Sequence, residues 1–133
     1  MKDTNKKIKD TNNDKEQLAL TKDQVDSVMN LYSSGKVNEA IDAIKALNEN
    51  YPNVPLLFNL LGACYNTLGQ LDAAAQMFKT AFSIKSDYAE AYFNHGLVVR
   101  ELGQFDLAVE SYKTAIDLIP NYPEAHNKLG ITY

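Results

Sequence analysis

Residues 68–81, LGQLDAAAQMFKTA, align without a gap onto residues 102–115, LGQFDLAVESYKTA. The offset is 34 residues, and the same step runs through most of the chain. Gly35, Gly69 and Gly103 share it, as do Ala40, Ala74 and Ala108, and Gly62, Gly96 and Gly130. Leu31, Tyr65 and Val99 keep the same interval, as do Leu47, Ala81 and Ala115, and Pro52, Ser86 and Pro120. Self-similarity at a fixed period of roughly 20–50 residues marks an array of supersecondary units, each burying its apolar face against the next.

Inside one period the apolar residues follow a helical rhythm. Phe58, Leu61, Gly62 and Tyr65 fall at i, i+3, i+4 and i+7, the stripe of an amphipathic helix. After Gly69 the stripe restarts at Leu71, Ala74, Ala75 and Phe78, continuing through Ala81 and Phe82. Each unit is therefore expected to be a pair of antiparallel helices. Gly62, Ala74 and Ala81 lack bulk and allow neighbouring helices to approach. Gly69, just past a helix, suits a left-handed turn that a Cβ would resist. Helix starts are expected at capping boxes formed by Thr21 with Gln24, Asp87 with Glu90, and Asn121 with Glu124. Pro123, and in a similar way Pro55 after Asn53, falls in a first turn where its missing N–H costs little.

The chain has 133 residues, a net charge of −4 and a 45% hydrophobic share, which suits one globular domain with a packed core. No stretch approaches the roughly 20 apolar residues of a membrane helix. The first 15 residues are charged and lack the apolar region of a secretory signal, so no membrane association and a cytoplasmic setting are expected. Residues 1–20 hold five Lys against four acids, leaving eight Lys or Arg against thirteen acids in the rest. That body lacks the basic surplus that neutralises phosphates, so nucleic acid is not expected as a partner. Residues 1–20 show no apolar period before Leu18 and read as a flexible solvated tail.

This unit resembles the tetratricopeptide repeat, whose first helix carries aromatic–Leu–Gly–Tyr and whose second carries Ala–aromatic–Ala before a proline. Residues 55–88 supply Phe58, Leu61, Gly62, Tyr65, Gly69, Ala74, Phe78 and Ala81, with Ser86 in the proline's place. Residues 89–122 supply Tyr92, Gly96, Gly103, Ala108, Tyr112, Ala115 and Pro120, with His95 replacing the leucine. Residues 21–54 form a degenerate unit that keeps Gly35, Ala40 and Pro52 but has Gln24, Ser27 and Val28 at the aromatic, leucine and glycine places. Residues 123–133, with Asn127, Leu129, Gly130 and Tyr133, match the first helix of a fourth unit and then stop. That helix is expected either to cap the array or to mark a truncated longer one. The resemblance implies an all-α, right-handed superhelical solenoid.

Catalytic chemistry finds no foothold in these residues. His95 and His126 have no His or Cys partner at i+3 or i+4, so neither a metal nor a cofactor site is expected and both read as packing residues. Cys64 lies among small residues without a basic neighbour to activate it, and reads as an inert buried thiol. Asp106 with Glu110 reads as a solvated face, and the glycines follow the repeat period instead of a phosphate loop.

A stacked solenoid presents a concave surface lined by one helix of each pair. In the family that helix is the first, and the fifth, ninth and twelfth places of each first helix are the candidates for ligand contact. They are Val25, Met29 and Tyr32; Asn59, Ala63 and Asn66; Phe93, Leu97 and Arg100; and Asn127 with Ile131. Chaperone-binding members grip a C-terminal carboxylate with Lys and Asn at the fifth and ninth places of their first unit. Val25 and Met29 stand there, so that clamp is broken. What remains is a mixed apolar and amide groove suited to a helix or an extended segment. The expected function is a non-catalytic scaffold for a protein or peptide partner. Two alternatives stand beside it: the N-terminal substrate-recognition arm of a larger glycosyltransferase- or sulfotransferase-like enzyme, and a scaffold that forms homo-oligomers by end-to-end stacking.

Overall fold

Each interruption of the apolar rhythm becomes a turn between two helices. The computed structural model describes residues 19–132, so most of the expected tail, and Tyr133, lie outside the described residues. Within them the chain forms α1 (Lys22–Ser33), α2 (Val37–Asn50), α3 (Pro55–Thr67), α4 (Leu71–Ile84), α5 (Ala89–Glu101), α6 (Phe105–Leu118) and α7 (Pro123–Thr132). No strand occurs among the described residues. The second helices start at residues 37, 71 and 105 and the later first helices at 55, 89 and 123, so both series keep the 34-residue step. Consecutive helices pack in antiparallel pairs, and α3 also touches α5 as α5 touches α7. The first helices thus share one face of an all-α solenoid.

The core is divided among the pairs, as expected where each unit contacts only its neighbours. One cluster centres on Val28, Ile44, Leu57 and Cys64, the next on Ala74, Phe78 and Val98, the last on Val99, Ala108 and Tyr112. Leu20, assigned by sequence to the tail, packs half-buried against the first cluster. Phe78 and Tyr112 are large fully buried side chains, and each lies across the helical glycine of its own unit, Gly62 and Gly96.

Helix starts depart from expectation in an informative way. Thr21 and Gln24 form the reciprocal box, with Gln24 N–H donating to Thr21 Oγ1 at 3.1 Å and Thr21 N–H to Gln24 Oε1 at 2.9 Å. The Asp87–Glu90 box does not form. Helix α5 begins only at Ala89, with Tyr88 in the cap position, and Asp87 instead accepts from Lys85 Nζ at 2.9 Å. Glu90 is thereby released to face another helix. Helix α7 starts at Pro123 with the Tyr122 carbonyl accepting from His126 N–H, so Asn121 also stands one residue outside the cap.

Gly35, Gly69 and Gly103 close the first helices with φ of 82°, 77° and 84°. A Cβ added at Gly69 would meet nothing within 4 Å. Gly69→Ala therefore isolates backbone strain, and is expected to lower stability by about 1 kcal/mol. A denaturant midpoint unchanged from the parent would contradict that assignment.

Candidate functional site

Helices α1, α3 and α5 enclose a cavity of about 460 Å³ on their shared face. Helix α1 contributes Val25, Met29 and Tyr32, one turn apart on one stripe. Helix α3 contributes Leu56, Asn59, Leu60 and Ala63, and the α5 end is closed by Glu90 and Asn94. Met29 stands at the mouth, 41% exposed. The Tyr32 hydroxyl lies 2.8 Å from Thr67 Oγ1, tying the end of α1 to that of α3.

A polar ladder crosses this apolar lining. Asn94 Nδ2 donates to Asn59 Oδ1 at 3.1 Å, and Asn59 Nδ2 donates to Glu90 Oε1 at 3.3 Å. Asn59 is only 5% exposed. A buried amide without partners would cost roughly 1–3 kcal/mol, so the ladder is what makes Asn59 tolerable there. Burial, with the Glu90 charge adding, pushes the Tyr88 phenol up to about 12.

Five of the eleven sequence candidates meet in this cavity: Val25, Met29, Tyr32, Asn59 and Ala63. The other six lie elsewhere. Phe93 packs its ring against Tyr112 at 5.9 Å and Tyr122 at 5.2 Å, and with Leu97 and Leu129 it builds onto the third core cluster. Tyr122, from the segment joining α6 to α7, covers the position that a free groove residue would need. Asn66 is exposed near the end of α3, where its carbonyl accepts from Gly69 N–H. Arg100 is half-buried, and its Nε has no partner among the described residues. Asn127 is exposed on α7, as is Ile131 at 54%. Leu56, Leu60, Glu90 and Asn94 escaped the sequence reading, although the second and sixth places lie on the same helical stripe as the fifth and ninth. The spacing i, i+3, i+4, i+7 was the signal that could have found them.

His95 fills a packing position. It is 5% exposed, its Nδ1 lies 2.8 Å from Ser111 Oγ, and the Phe82 ring meets it edge-on at 5.3 Å. Burial, helped by the nearby Lys79 charge, lowers its pKa to about 4, so the ring is neutral at neutral pH. His126 corrects the packing expectation. The buried face of α7 runs through Ala125, and His126 beside it is exposed with Nε2 2.9 Å from the Pro120 carbonyl. Cys64 is buried, and desolvation raises its thiol pKa. Among the described residues no three His, Cys, Asp or Glu side chains are grouped to hold a metal ion, and no helix is long and apolar enough to cross a membrane.

Known proteins give the same picture of the fold. The family model described as Tetratricopeptide repeat matches residues 26–89, and a second, described as TPR repeat, matches residues 96–133. No curated protein matches the chain. Among solved structures, MamA is similar at 24% identity and a TM-score of 0.78, over 83% of this chain and 64% of MamA, so the chain spans under two thirds of that protein. The first TPR of Spaghetti (RPAP3), bound to the HSP90 peptide SRMEEVD, is 25% identical with a TM-score of 0.78, over 80% of this chain and 85% of that one. An O-GlcNAc transferase of Thermobaculum terrenum is 23% identical with a TM-score of 0.75, over 86% of this chain but only 23% of the enzyme.

Proposed function

From the premise that this chain belongs to the tetratricopeptide repeat family, we propose that it is a non-catalytic scaffold whose α1–α3–α5 groove takes a peptide segment of a protein partner. The observation that carries this reading is the cavity itself. It is mostly apolar, open at Met29, and crossed by a ladder of amides able to bond a peptide backbone. A relative of the same fold holds a peptide. Around the cavity Asp26 pairs with Lys22 at 2.8 Å, Glu90 accepts from Asn59 through one oxygen, and burial raises the Cys64 thiol.

Panning a random peptide library on the chain tests this. Enriched peptides are expected to carry an aliphatic or aromatic anchor. Their affinity, read by fluorescence anisotropy, is expected to fall about tenfold or more in Met29→Glu and Ala63→Phe, which charge the mouth and fill the floor. Helicity should stay unchanged. Peptides that bind both variants as tightly as the parent would place the binding face elsewhere.

The second reading, a substrate-recognition arm of a larger enzyme, draws support from the fold shared with the transferase. A catalytic domain encoded downstream in the parent reading frame would favour it over the free-standing scaffold.

A further inference from the structure

The geometry points to a cation subsite at the Glu90 end of this groove, so that the segment it takes carries a Lys or Arg side chain beside its apolar anchor. This inference rests on the groove reading above and adds the charge of the partner to it.

Two acids and no Lys or Arg line the cavity. The two acids differ in state. The Asp26 carboxylate is already paired with Lys22 Nζ at 2.8 Å. Glu90 is exposed and has no cation partner among the described residues. The cation of the preceding loop, Lys85, is held by Asp87 at 2.9 Å and lies 5.4 Å from the Tyr88 ring centroid.

The ladder gives that charge a direction. A carboxylate only accepts, so Glu90 obliges Asn59 to turn its Nδ2 toward it. Asn59 Oδ1 must then face Asn94, which answers with its own Nδ2. Among the described residues nothing donates to Glu90 Oε2 or to Asn94 Oδ1. Both ends of the ladder therefore offer unfilled acceptors, one of them charged. An ammonium or guanidinium, all donors and positive, fits that set. Two rings feel the same charge: after desolvation, Glu90 is the next cause raising the phenols of Tyr88 and Tyr122, so both stay neutral. A peptide ending in acidic residues and a carboxylate meets the opposite, a like charge with no counter-cation.

The test uses the full chain, a random peptide library, and synthetic copies of one selected peptide with its basic residue kept as Lys or replaced by norleucine or Glu. Selected peptides are expected to place Lys or Arg beside the apolar anchor. The Lys form should bind about three- to tenfold more tightly than the norleucine form, an advantage that shrinks with added salt. Glu90→Gln should erase the difference between the two forms, and Glu90→Lys should turn the preference toward Glu. SRMEEVD is expected not to bind the parent chain. Selection of apolar peptides without a basic residue, a Lys preference that survives Glu90→Gln, or binding of SRMEEVD would overturn the subsite and leave the groove standing. Failure to select any peptide, or selected peptides indifferent to Met29→Glu, would overturn groove and subsite together.

Discussion

Gly96→Ala is expected to destabilise this protein by about 2 kcal/mol, although the same exchange in an unencumbered helix stabilises by roughly 1 kcal/mol. The sign is decided by Tyr112. A Cβ at Gly96 would stand 2.5 Å from its Cε1, 2.7 Å from Cδ1 and 3.1 Å from Cζ. The ring cannot swing away, because Tyr112 is fully buried and Phe93 packs against it. Two helices must then separate, with overpacking costs of about 1–3 kcal/mol or more. Gly62 repeats the situation against Phe78, with contacts of 2.6, 2.7 and 2.9 Å. Gly130 occupies the same place in the period and supplies the control, because nothing lies within 4 Å of a Cβ there. Gly130→Ala should be neutral or mildly stabilising. Denaturant unfolding of the two variants side by side checks this. Equal stabilities would show that ring contact does not decide the Gly96 position. Pairing Gly96→Ala with Tyr112→Leu should cost less than the sum of the single changes, as contacting sites do.

Acid should weaken the fold through His95, by about 2–3 kcal/mol between pH 6.5 and pH 4. The folded pKa, about 4, lies below the ordinary histidine value. The unfolded chain therefore binds the proton first. Stability is full above pH 6.5, falls as the pH drops toward 4, and gains no further slope from this residue below that. The cause is burial first, then the Lys79 charge; Glu110 also lines this side of the molecule but does not reverse the direction. His95→Leu restores the residue usual in the repeat. At pH 7 it should be about 1 kcal/mol less stable than the parent, since the buried Ser111 hydroxyl loses its partner. At pH 4 the order should reverse. Unfolding midpoints at the two pH values decide it: a parent as acid-sensitive as its His95→Leu variant would remove His95 as the source.

The period carried most of the fold into the sequence, because a 34-residue step fixes which glycine faces which ring. Gly62 with Phe78 and Gly96 with Tyr112 are visible as small and large partners 16 residues apart. The groove was legible only in part. Position on a helix says which way a residue faces, but not what arrives from outside the helix to cover it. Phe93 faces the concave side by count, yet the Tyr122 ring, from the segment joining α6 to α7, packs against it, and Phe93 joins the third core cluster. Glu90 was misread for a related reason. Its spacing from Asp87 suits a capping box, but a helix that begins two residues after Asp87 leaves the carboxylate free for Asn59, 31 residues earlier.

The ladder has one more effect. Its bonds join side chains 31 and 35 residues apart, across two units held otherwise by apolar packing. Apolar surfaces tolerate sliding, whereas hydrogen bonds between fixed amides do not. A shift of α5 along α3 by one residue would strand Asn59 in an apolar wall. The Asn59–Asn94–Glu90 chain therefore works as a registry key, fixing how far one unit leans on the next. The same three side chains line the groove proposed to take a partner segment.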